Sequence, residues 1–145
     1  MREVTNSMKI TLPGYSKNEA LARMCAAAFA AQLDPTVEEI SDIKAAVSEA
    51  VTNCIVHAYP DCIGDIDMKL RILDGDTLYI RITDKGRGIE DVEQAMQPMF
   101  TTAPEGERAG LGFAVMESFT DSLRVRSKPG KGTTVTMTKT IRGKD

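Results

Sequence analysis

Hydrophobic and polar residues alternate in five segments of the chain, and alternation at every second position is the pattern of a half-buried β-strand. The five segments cover residues 8–12, 66–72, 78–82, 123–125 and 135–137. The second and third flank an Asp-Gly-Asp sequence at 74–76, which predicts a β-hairpin. A Pro-Gly-Lys-Gly sequence at 129–132 joins the last two strands.

Two segments between the first and second strands predict α-helices. The first is rich in alanine, and Ser16 and Glu19 have the form of a capping box at its start. It is expected to end near Leu33. The second is expected to run from Thr36 to residues 57–59, because its apolar residues recur at three- and four-residue steps and form one buried face.

Two shorter helices are expected after the hairpin, one around residues 90–96 and one from about 110 to 119. The resulting order of elements is β-α-α-β-β-loop-α-β-β. Strands joined by hairpins, with the helices grouped together, predict an α+β fold of two layers rather than a doubly wound parallel sheet. Residues 1–145 are expected to form a single domain, since this length suits one core.

Composition narrows the class of protein. Hydrophobic residues make up 42% of the chain, enough for a packed core. No apolar segment approaches the roughly 20 residues of a membrane span, and no signal peptide is visible, so a cytoplasmic protein without membrane contact is expected. The net charge of −3 argues against broad, direct nucleic-acid binding, which depends on many Lys and Arg residues.

Neither the cysteines nor the basic C-terminal segment indicates a functional site. The three cysteines are odd in number and contain no Cys-x-x-Cys pair, so neither a disulfide framework nor a zinc site is indicated. Cys25 and Cys54 lie in helical segments and are interpreted as small core residues. The locally basic segment 124–144 is interpreted as a solvated strand face, with nucleic-acid binding as a minor alternative.

Three short motifs carry candidate chemistry. In the first, Glu49, Asn53 and His57 are four residues apart and lie along one stripe of the second helix, at the edge of its apolar face. A carboxylate and an amide placed there need partners. Taken alone, a solvated helix edge explains the stripe better than a ligand site does. His57 is interpreted as a packing residue.

The second motif is Asp84-x-Gly86-x-Gly88, directly after an apolar strand. Glycines at alternate positions let the backbone turn sharply and approach a ligand closely. An Asp at the end of a strand can accept a hydrogen bond from an exocyclic amine. An ordinary turn after a strand is the alternative, because Asp and Gly are common turn residues.

The third motif is Gly110-Leu111-Gly112, at the start of a predicted helix. Free backbone N–H groups at a helix N-terminus can hold phosphate, and glycine permits its close approach. A flexible loop entering a helix is the alternative. The chain contains no P-loop sequence and no dinucleotide-binding glycine pattern in a βαβ setting.

In this order and context the motifs resemble those of the ATPase superfamily of gyrase, the Hsp90 chaperone, histidine kinases and MutL. Glu49-x-x-x-Asn53 is similar to its N box, Asp84 to Gly88 to its G1 box, and Gly110 to Gly112 to its G2 box. The resemblance covers nearly the whole chain. It implies a Bergerat-type ATP-binding fold, with a mixed, mostly antiparallel sheet covered on one face by helices.

The resemblance also implies roles on the adenine side and at the metal. Asp84 is expected to bind the adenine amino group, Gly86 and Gly88 to shape the adenine side, and Thr133 to lie near Asp84. Asn53 is expected to give its amide oxygen to Mg²⁺, with the remaining ligands from phosphate and water.

Further roles concern the phosphates of ATP or ADP. Gly110, Leu111 and Gly112 are expected to hold phosphates through backbone N–H groups. Residues 100–109 are expected to form a lid over the nucleotide. Within that lid the resemblance assigns nucleotide contacts to Thr101 and Thr102. The two expected catalytic residues are Glu49, as the catalytic carboxylate, and Arg108, as a γ-phosphate contact for which a solvated lid arginine is the alternative.

The sequence also indicates which group of proteins within the superfamily this chain resembles. Histidine kinases need a phospho-accepting histidine ahead of this domain, and the one histidine here is His57, inside the N box. Gyrase, MutL and Hsp90 relatives have further domains, which are not expected here. The segments 48–53, 97–102 and 110–113 resemble the bacterial anti-sigma-factor serine kinases, and in detail those of the sporulation sigma system.

That resemblance implies partners and an activity. Such proteins hold a sigma factor, here of the sigma-F type, away from RNA polymerase and phosphorylate a serine of an anti-anti-sigma factor. It also implies a homodimer and a protein-partner contact at Arg23, for which a solvated helix charge is the alternative. Two other functions stay open: an ATP-bound interaction module without kinase turnover, and the equivalent kinase of a stress-response sigma system.

Overall fold

The computed structural model describes residues 2–59, 61–89, 92, 96 and 112–143. These ranges contain five strands and three α-helices, numbered here in chain order. They are β1 (Val4–Pro13), α1 (Asn18–Ala30), α2 (Val37–Asn53), β2 (Asp65–Leu73), β3 (Thr77–Asp84), α3 (Gly112–Ser118), β4 (Ser122–Lys128) and β5 (Gly132–Thr140).

The strands form one sheet in the order β1-β2-β3-β5-β4, and each of its four pairings is antiparallel. The predicted α+β class is therefore confirmed, and no parallel pair occurs among the described strands. Alternate residues of the sheet are buried beneath the helices, as Met68, Ile82 and Val135 illustrate by occupying one row of paired positions. The core thus lies on one face of the sheet, and the other face carries polar residues.

Alanines at the interface between α1 and α2 allow the two helices to approach closely above the sheet. Ala22, Ala26, Ala46 and Ala50 are each 1% exposed or less. Both helices lie on the buried face of the sheet, and their apolar residues join those of the strands in one core cluster. The site described below lies where the end of α2 reaches the ends of β3 and β5.

The β2–β3 hairpin has the turn that its sequence predicts. Asp74 and Gly75 have positive φ values of 55° and 76°, and the Asp76 N–H donates to the Leu73 carbonyl oxygen at 3.2 Å. Two central residues with positive φ define a type I′ turn, whose twist matches that of the flanking strands. The Asp-Gly sequence therefore fixes the register of the two central strands.

The capping box occurs at the second helix, not at the first. The Glu39 N–H donates to Thr36 Oγ1 at 3.0 Å, and the Thr36 N–H donates to Glu39 Oε1 at 2.9 Å. The prediction of a capping box at Ser16 and Glu19 is wrong, because α1 begins after Lys17 without a side-chain cap. The Glu19 carboxylate instead lies 3.1 Å from Arg23 Nε, one helical turn along.

Helix α2 ends in a wider turn than its sequence indicates. Residues Cys54–Ala58 form a π-helical turn, in which the Tyr59 N–H donates to the Cys54 carbonyl oxygen at 3.1 Å. The helix predicted to end at residues 57–59 does extend to Ala58, but its last turn is closed by a hydrogen bond between residues i and i+5. Such π turns widen the helix locally and are frequent at functional sites.

The remaining helix predictions have mixed outcomes. Helix α3 occupies Gly112–Ser118, within the predicted range of about 110 to 119. Most of the helix predicted around 90–96 lies outside the described residues. Among the residues that are described, no helix is both long and apolar enough to cross a membrane.

Candidate functional site

Asp84 is the last residue of β3 and is 5% exposed, although its side chain is charged. Its Oδ1 atom accepts hydrogen bonds from two backbone N–H groups, that of Gly86 at 2.9 Å and that of Thr133 at 3.2 Å. Thr133 lies directly opposite Asp84 in the β3–β5 ladder. The structure therefore brings together Asp84, Gly86 and Thr133, and two bonds to one oxygen fix the carboxylate plane.

A buried thiol completes the surroundings of Asp84. Cys54, which is 4% exposed, donates a side-chain hydrogen bond to the Asp84 carboxylate. Burial raises the pKa of Asp84, while the bonds from Gly86, Cys54 and Thr133 act in the opposite direction. Burial also raises the pKa of the Cys54 thiol far above its usual range, and the negative charge of Asp84 adds to this effect.

The Asp84-x-Gly86-x-Gly88 loop lies against the end of the α2 helical path. The Arg87 N–H donates to the Ala58 carbonyl oxygen at 3.1 Å. A Cβ atom on Gly86 would collide with that same carbonyl group and with the Ala58 side chain. Gly86 is therefore required by close contact with the π turn, which is a structural reason for this glycine in addition to any contact with a ligand.

The other side of the loop contacts the β4–β5 hairpin. Gly88 has a φ of +79°, and a Cβ atom there would collide with the Lys128 carbonyl oxygen. The Gly130 N–H donates to the Arg87 carbonyl oxygen at 2.7 Å. The loop is thus held between the α2 terminus and the last hairpin.

Ser127 and Tyr59 support the site through hydrogen bonds that the sequence did not indicate. Ser127 Oγ accepts from the Ile89 N–H at 2.8 Å and lies 2.8 Å from Thr133 Oγ1. The Tyr59 hydroxyl accepts from the Lys85 N–H at 2.7 Å and donates to the Asp65 carbonyl oxygen at 2.8 Å. Both side chains accept from loop N–H groups, so they fix the path of the chain after Asp84, at residues 85 and 89.

Asn53 is the last residue of α2 and is half-buried beside the start of α3. A Cβ atom on Gly112 would lie 3.1 Å from both the Nδ2 and the Oδ1 atom of Asn53. The missing side chain at 112 therefore leaves space for the Asn53 amide. Glu49 lies one helical turn before Asn53 and is also half-buried.

The described parts of all three motifs meet at the end of α2. Cys54 contacts Asp84 of the second motif, Ala58 contacts Gly86, and Asn53 contacts Gly112 of the third. A cavity of about 630 Å³ opens beside Asp84, which is within the usual size range of small-molecule sites. Its described lining includes Asp84 and Thr133, and also Thr83, Arg126 and Thr134 from the face of the sheet opposite the helices, but not Asn53 or Gly112.

Several predicted residues are elsewhere. Thr101, Thr102, Arg108, Gly110 and Leu111 lie outside the described residues, as does the lid at 100–109. On α1, Arg23 Nε and Glu19 Oε2 form an ion pair at 3.1 Å without the alignment of a directed hydrogen bond. Arg23 therefore has an intrahelical partner, and its predicted role in binding another protein stays a prediction.

Sequence reasoning missed Cys54, Tyr59 and Ser127 as parts of the site. Cys54 was interpreted as a small core residue, and its burial agrees with that interpretation. Its contact with Asp84 is 30 positions distant in sequence and depends on how α2 crosses the end of β3. The sequence offers no signal for this contact, because neighbouring residues of a helix point about 100° apart and Asn53 does not fix the direction of Cys54.

Comparison with known proteins places the chain in a family. A family model described as a histidine kinase-like ATPase domain matches residues 15–139. An anti-sigma F factor of Caldanaerobacter subterraneus subsp. tengcongensis is 60% identical over 139 residues, covering 96% of each chain. The anti-sigma F factor of Pasteuria penetrans is 53% identical and covers 94% of this chain and 91% of its own length.

Solved structures agree on the fold. The RsbU and RsbW domains of Rv1364c from Mycobacterium tuberculosis superpose with a TM-score of 0.69 at 21% identity, covering 94% of this chain. This chain spans about a third of that structure, 33% of its length. The mycobacterial sensor histidine kinase MprB superposes with a TM-score of 0.59 at 17% identity, covering 94% of this chain and all of its own.

The buried Asp84 at a strand end, the glycine loop beside it and the Asn53–Gly112 contact are thus found in a chain that matches a nucleotide-binding domain over most of its length. Its relatives at 53% to 60% identity all carry one description. The chain belongs to the anti-sigma F factor family and contains a histidine kinase-like ATPase domain.

Proposed function

We propose that this protein is an ATP-dependent serine kinase that also binds a sigma factor. The sigma factor is of the sigma-F sporulation type, and its binding to this protein prevents RNA polymerase from using it. The phosphorylated substrate is a serine of an anti-anti-sigma factor. The observation that carries the proposal is the meeting of Asn53, Asp84 and Gly112 around the end of α2, with Glu49 one helical turn away.

Asp84 and its neighbours support recognition of adenine. An ionised carboxylate only accepts hydrogen bonds, and it has about four acceptor positions. The two backbone N–H groups of Gly86 and Thr133 engage Oδ1, so acceptor capacity remains on the same carboxylate for an exocyclic amino group. A buried, fixed acceptor favours adenine, whose amino group donates, over guanine, whose oxygen at the equivalent position accepts.

Asn53 is the residue proposed to bind Mg²⁺. Its amide lies against Gly112 at the start of α3, where any side chain would crowd it. Mg²⁺ takes oxygen ligands and usually binds through one or two protein oxygens plus phosphates, where it neutralises phosphate charge. Gly110 and Leu111, with Gly112, are proposed to donate backbone N–H groups to the phosphates, and Thr101 and Thr102 to contact the nucleotide.

Glu49 is proposed to act on the serine substrate. The serine oxygen attacks the γ-phosphorus, the bond to the bridging oxygen breaks and ADP leaves, while the Glu49 carboxylate accepts the hydroxyl proton. Its position on α2, one turn before Asn53, supports this role, since Asn53 is the proposed Mg²⁺ ligand. Arg108 is proposed to contact the γ-phosphate.

The exposed face of α1 supports a protein-binding surface. Leu21 and Met24, on either side of Arg23 in sequence, are 48% and 53% exposed. Large apolar side chains grouped at the surface mark contact sites for other proteins. Arg23 is proposed to contact a partner from this face, and the protein is proposed to act as a homodimer in the cytoplasm.

The test is transfer of labelled phosphate from ATP to a purified anti-anti-sigma protein, with mass spectrometry to locate the phosphoserine. Glu49→Gln is expected to lower the rate by at least about a hundredfold while the Kd for ATP changes less than about twofold. Glu38→Gln, on the exposed first turn of α2, is the matched control and is expected to retain the wild-type rate.

Three results would contradict the proposal in whole or in part. Wild-type protein that binds ATP but transfers no phosphate would indicate an interaction module that uses ATP as a structural ligand. Full transfer in Glu49→Gln would remove Glu49 from the reaction. Transfer to the acceptor of a stress-response system, and not to the sporulation acceptor, would change the sigma system while leaving the kinase in place.

A further inference from the structure

The face of the sheet opposite the helices carries a row of cations. Strand pairing places Lys9 opposite Lys69, Lys69 opposite Arg81, Arg81 opposite Thr136 and Thr136 opposite Arg124. Paired residues of an antiparallel sheet lie on the same face. The row therefore crosses all five strands and holds a cation on four of them; we call it the basic row.

The rows on either side add to the positive charge. One contains Ser7, Arg71, Tyr79, Thr138 and Ser122, and the other contains Thr11, Asp67, Thr83, Thr134 and Arg126. Across these rows and the basic row there are six cations and one carboxylate. That carboxylate accepts a hydrogen bond from the Thr11 hydroxyl at 2.6 Å.

The cations repel one another. Like charges directly opposite each other destabilise a sheet. The positive charges of Arg71, Arg81 and Lys9, together with partial burial, lower the pKa of Lys69, with Arg71 as the largest cause. Within the described ranges no carboxylate forms an ion pair with Lys9, Lys69 or Arg81. The chain as a whole is acidic, with a net charge of −3, so a basic composition does not account for this concentration of cations on one face.

We propose that the basic row binds a carboxylate-rich segment of a partner protein, laid across the strands. Neighbouring strands of a sheet lie about 4.8 Å apart, so the row presents cations from four strands over a width of about 19 Å to the carboxylates of one segment. Binding would relieve the repulsion among the cations. The basic row is on the opposite face of the sheet from the helices, and none of its five residues is in the described lining of the cavity beside Asp84, so the inference does not depend on the nucleotide site.

Charge and composition select this occupant over three others. A second copy of the chain cannot use the same face, because cations would meet cations. Single-stranded nucleic acid is bound largely by aromatic stacking, and the one aromatic residue in the three rows, Tyr79, already has the Arg71 guanidinium 5.4 Å from its ring centre. The three rows contain no aliphatic side chain that could insert into a lipid surface.

The experiment compares Lys69→Glu with Lys17→Glu in the full chain. Both change the net charge equally, but Lys17 lies just before α1, outside the basic row. The probe is a fluorescently labelled decaglutamate peptide, and its anisotropy is followed at low and at physiological salt. Lys69→Glu is expected to bind the peptide at least about fivefold more weakly than wild type, and Lys17→Glu to match wild type.

A second readout separates lost binding from lost folding. Because Glu at 69 faces Lys9 and Arg81, Lys69→Glu is expected to melt at or above the wild-type temperature. Arg81→Glu is a second variant with the same two expectations. The proposal is overturned if both variants bind decaglutamate as wild type does. It is also overturned if a thymidine oligonucleotide or phosphatidylserine vesicles bind wild type more tightly than the peptide.

Discussion

The thiol of Cys54 donates a hydrogen bond to the carboxylate of Asp84, and this contact joins the end of α2 to the end of β3. Cys54 is the residue after Asn53, and Asp84 begins the glycine loop. The residue proposed to bind Mg²⁺ and the residue proposed to bind adenine are therefore linked by adjacent backbone and one side-chain contact. A substitution at Cys54 is therefore expected to alter the affinity for the nucleotide through its effect on Asp84.

Replacement of Cys54 tests that link. Cys54→Ala removes the donor and is expected to raise the Kd for ATP about three- to tenfold, since a hydrogen bond to a charged group contributes roughly 1 kcal/mol or more. Cys54→Ser retains a donor of similar size and is expected to stay within about twofold of wild type. Titration calorimetry measures both. Equal affinities for the alanine variant and wild type would show that Asp84 does not need the thiol.

The buried charge of Asp84 predicts a pH dependence of stability. Because burial raises its pKa in the folded state above the ordinary 3.8, the folded protein holds this proton more tightly than the unfolded chain does. The contribution of Asp84 to the free energy of unfolding therefore falls as pH rises through the interval above 3.8. Asp84→Asn removes the charge and can keep both bonds to Oδ1.

The measurement is urea unfolding of wild type and Asp84→Asn between about pH 4 and pH 7.5. The stability of Asp84→Asn relative to wild type is expected to increase with pH and then become constant. A relative stability that decreases with pH would mean that ionised Asp84 stabilises the fold. In that case the hydrogen bonds to the carboxylate would outweigh its burial.

Much of the fold follows from local sequence. Strict alternation identified all five strands, and Asp-Gly fixed the central hairpin, because each depends on neighbouring residues alone. The capping box was assigned to the wrong helix since both Ser16-x-x-Glu19 and Thr36-x-x-Glu39 fit the pattern. What separates them is backbone conformation: Thr36 is extended, with ψ of 166°, whereas α1 starts from a residue already in helical conformation.

Gly75 and Gly88 have similar backbone conformations but different surroundings. Replacing each by alanine therefore distinguishes the cost of backbone strain from the cost of a steric collision. Gly88 and Gly75 have φ values of +79° and +76°, but only at Gly88 would a Cβ atom meet another group, the Lys128 carbonyl. Gly75→Ala is expected to cost about 1 kcal/mol, the penalty of the left-handed conformation. Gly88→Ala is expected to cost roughly 1–3 kcal/mol more and to weaken ATP binding. Urea unfolding and calorimetry test this, and equal costs would contradict the close contact.

Glu39 predicts a second, opposite pH dependence. Its carboxylate accepts N–H bonds from Thr36, Arg142 and Gly143, so it caps α2 and holds the segment after β5. Burial opposes its ionisation, but these donors outweigh burial and lower the pKa of Glu39 below the ordinary 4.5. Its stabilisation is therefore complete above pH 4.5 and is lost as pH falls through the lowered pKa.

Replacement of Glu39 by Gln is expected to cost about 1–2 kcal/mol at neutral pH. The difference from wild type is expected to shrink in acid. Glu38→Gln, exposed in the same helical turn, is the control and is expected to change stability by less than about 0.5 kcal/mol. Unfolding curves near pH 7 and pH 3.5 measure both variants. A difference that persists unchanged in acid would contradict the role of the ionised carboxylate.

The site could be predicted in outline because its residues have distinctive local settings. Asp84 follows an apolar strand and precedes alternate glycines, and Thr133 follows a glycine at the start of β5. Their meeting depends on the β3–β5 pairing, which local patterns do not specify. Cys54 and the π turn could not be predicted, since a thiol in a helix has no pattern that distinguishes a core residue from a partner of a buried carboxylate.

The central claim is that Asp84, held beside the end of α2, makes this a site for adenine nucleotides. Calorimetric titration of wild type and Asp84→Asn with ATP and with GTP, both with Mg²⁺, tests it most directly. Wild type is expected to bind ATP at least about tenfold more tightly than GTP, and Asp84→Asn to lose most of that preference. Equal affinity of wild type for the two nucleotides, or an undiminished preference in Asp84→Asn, would contradict the assignment of adenine recognition to Asp84.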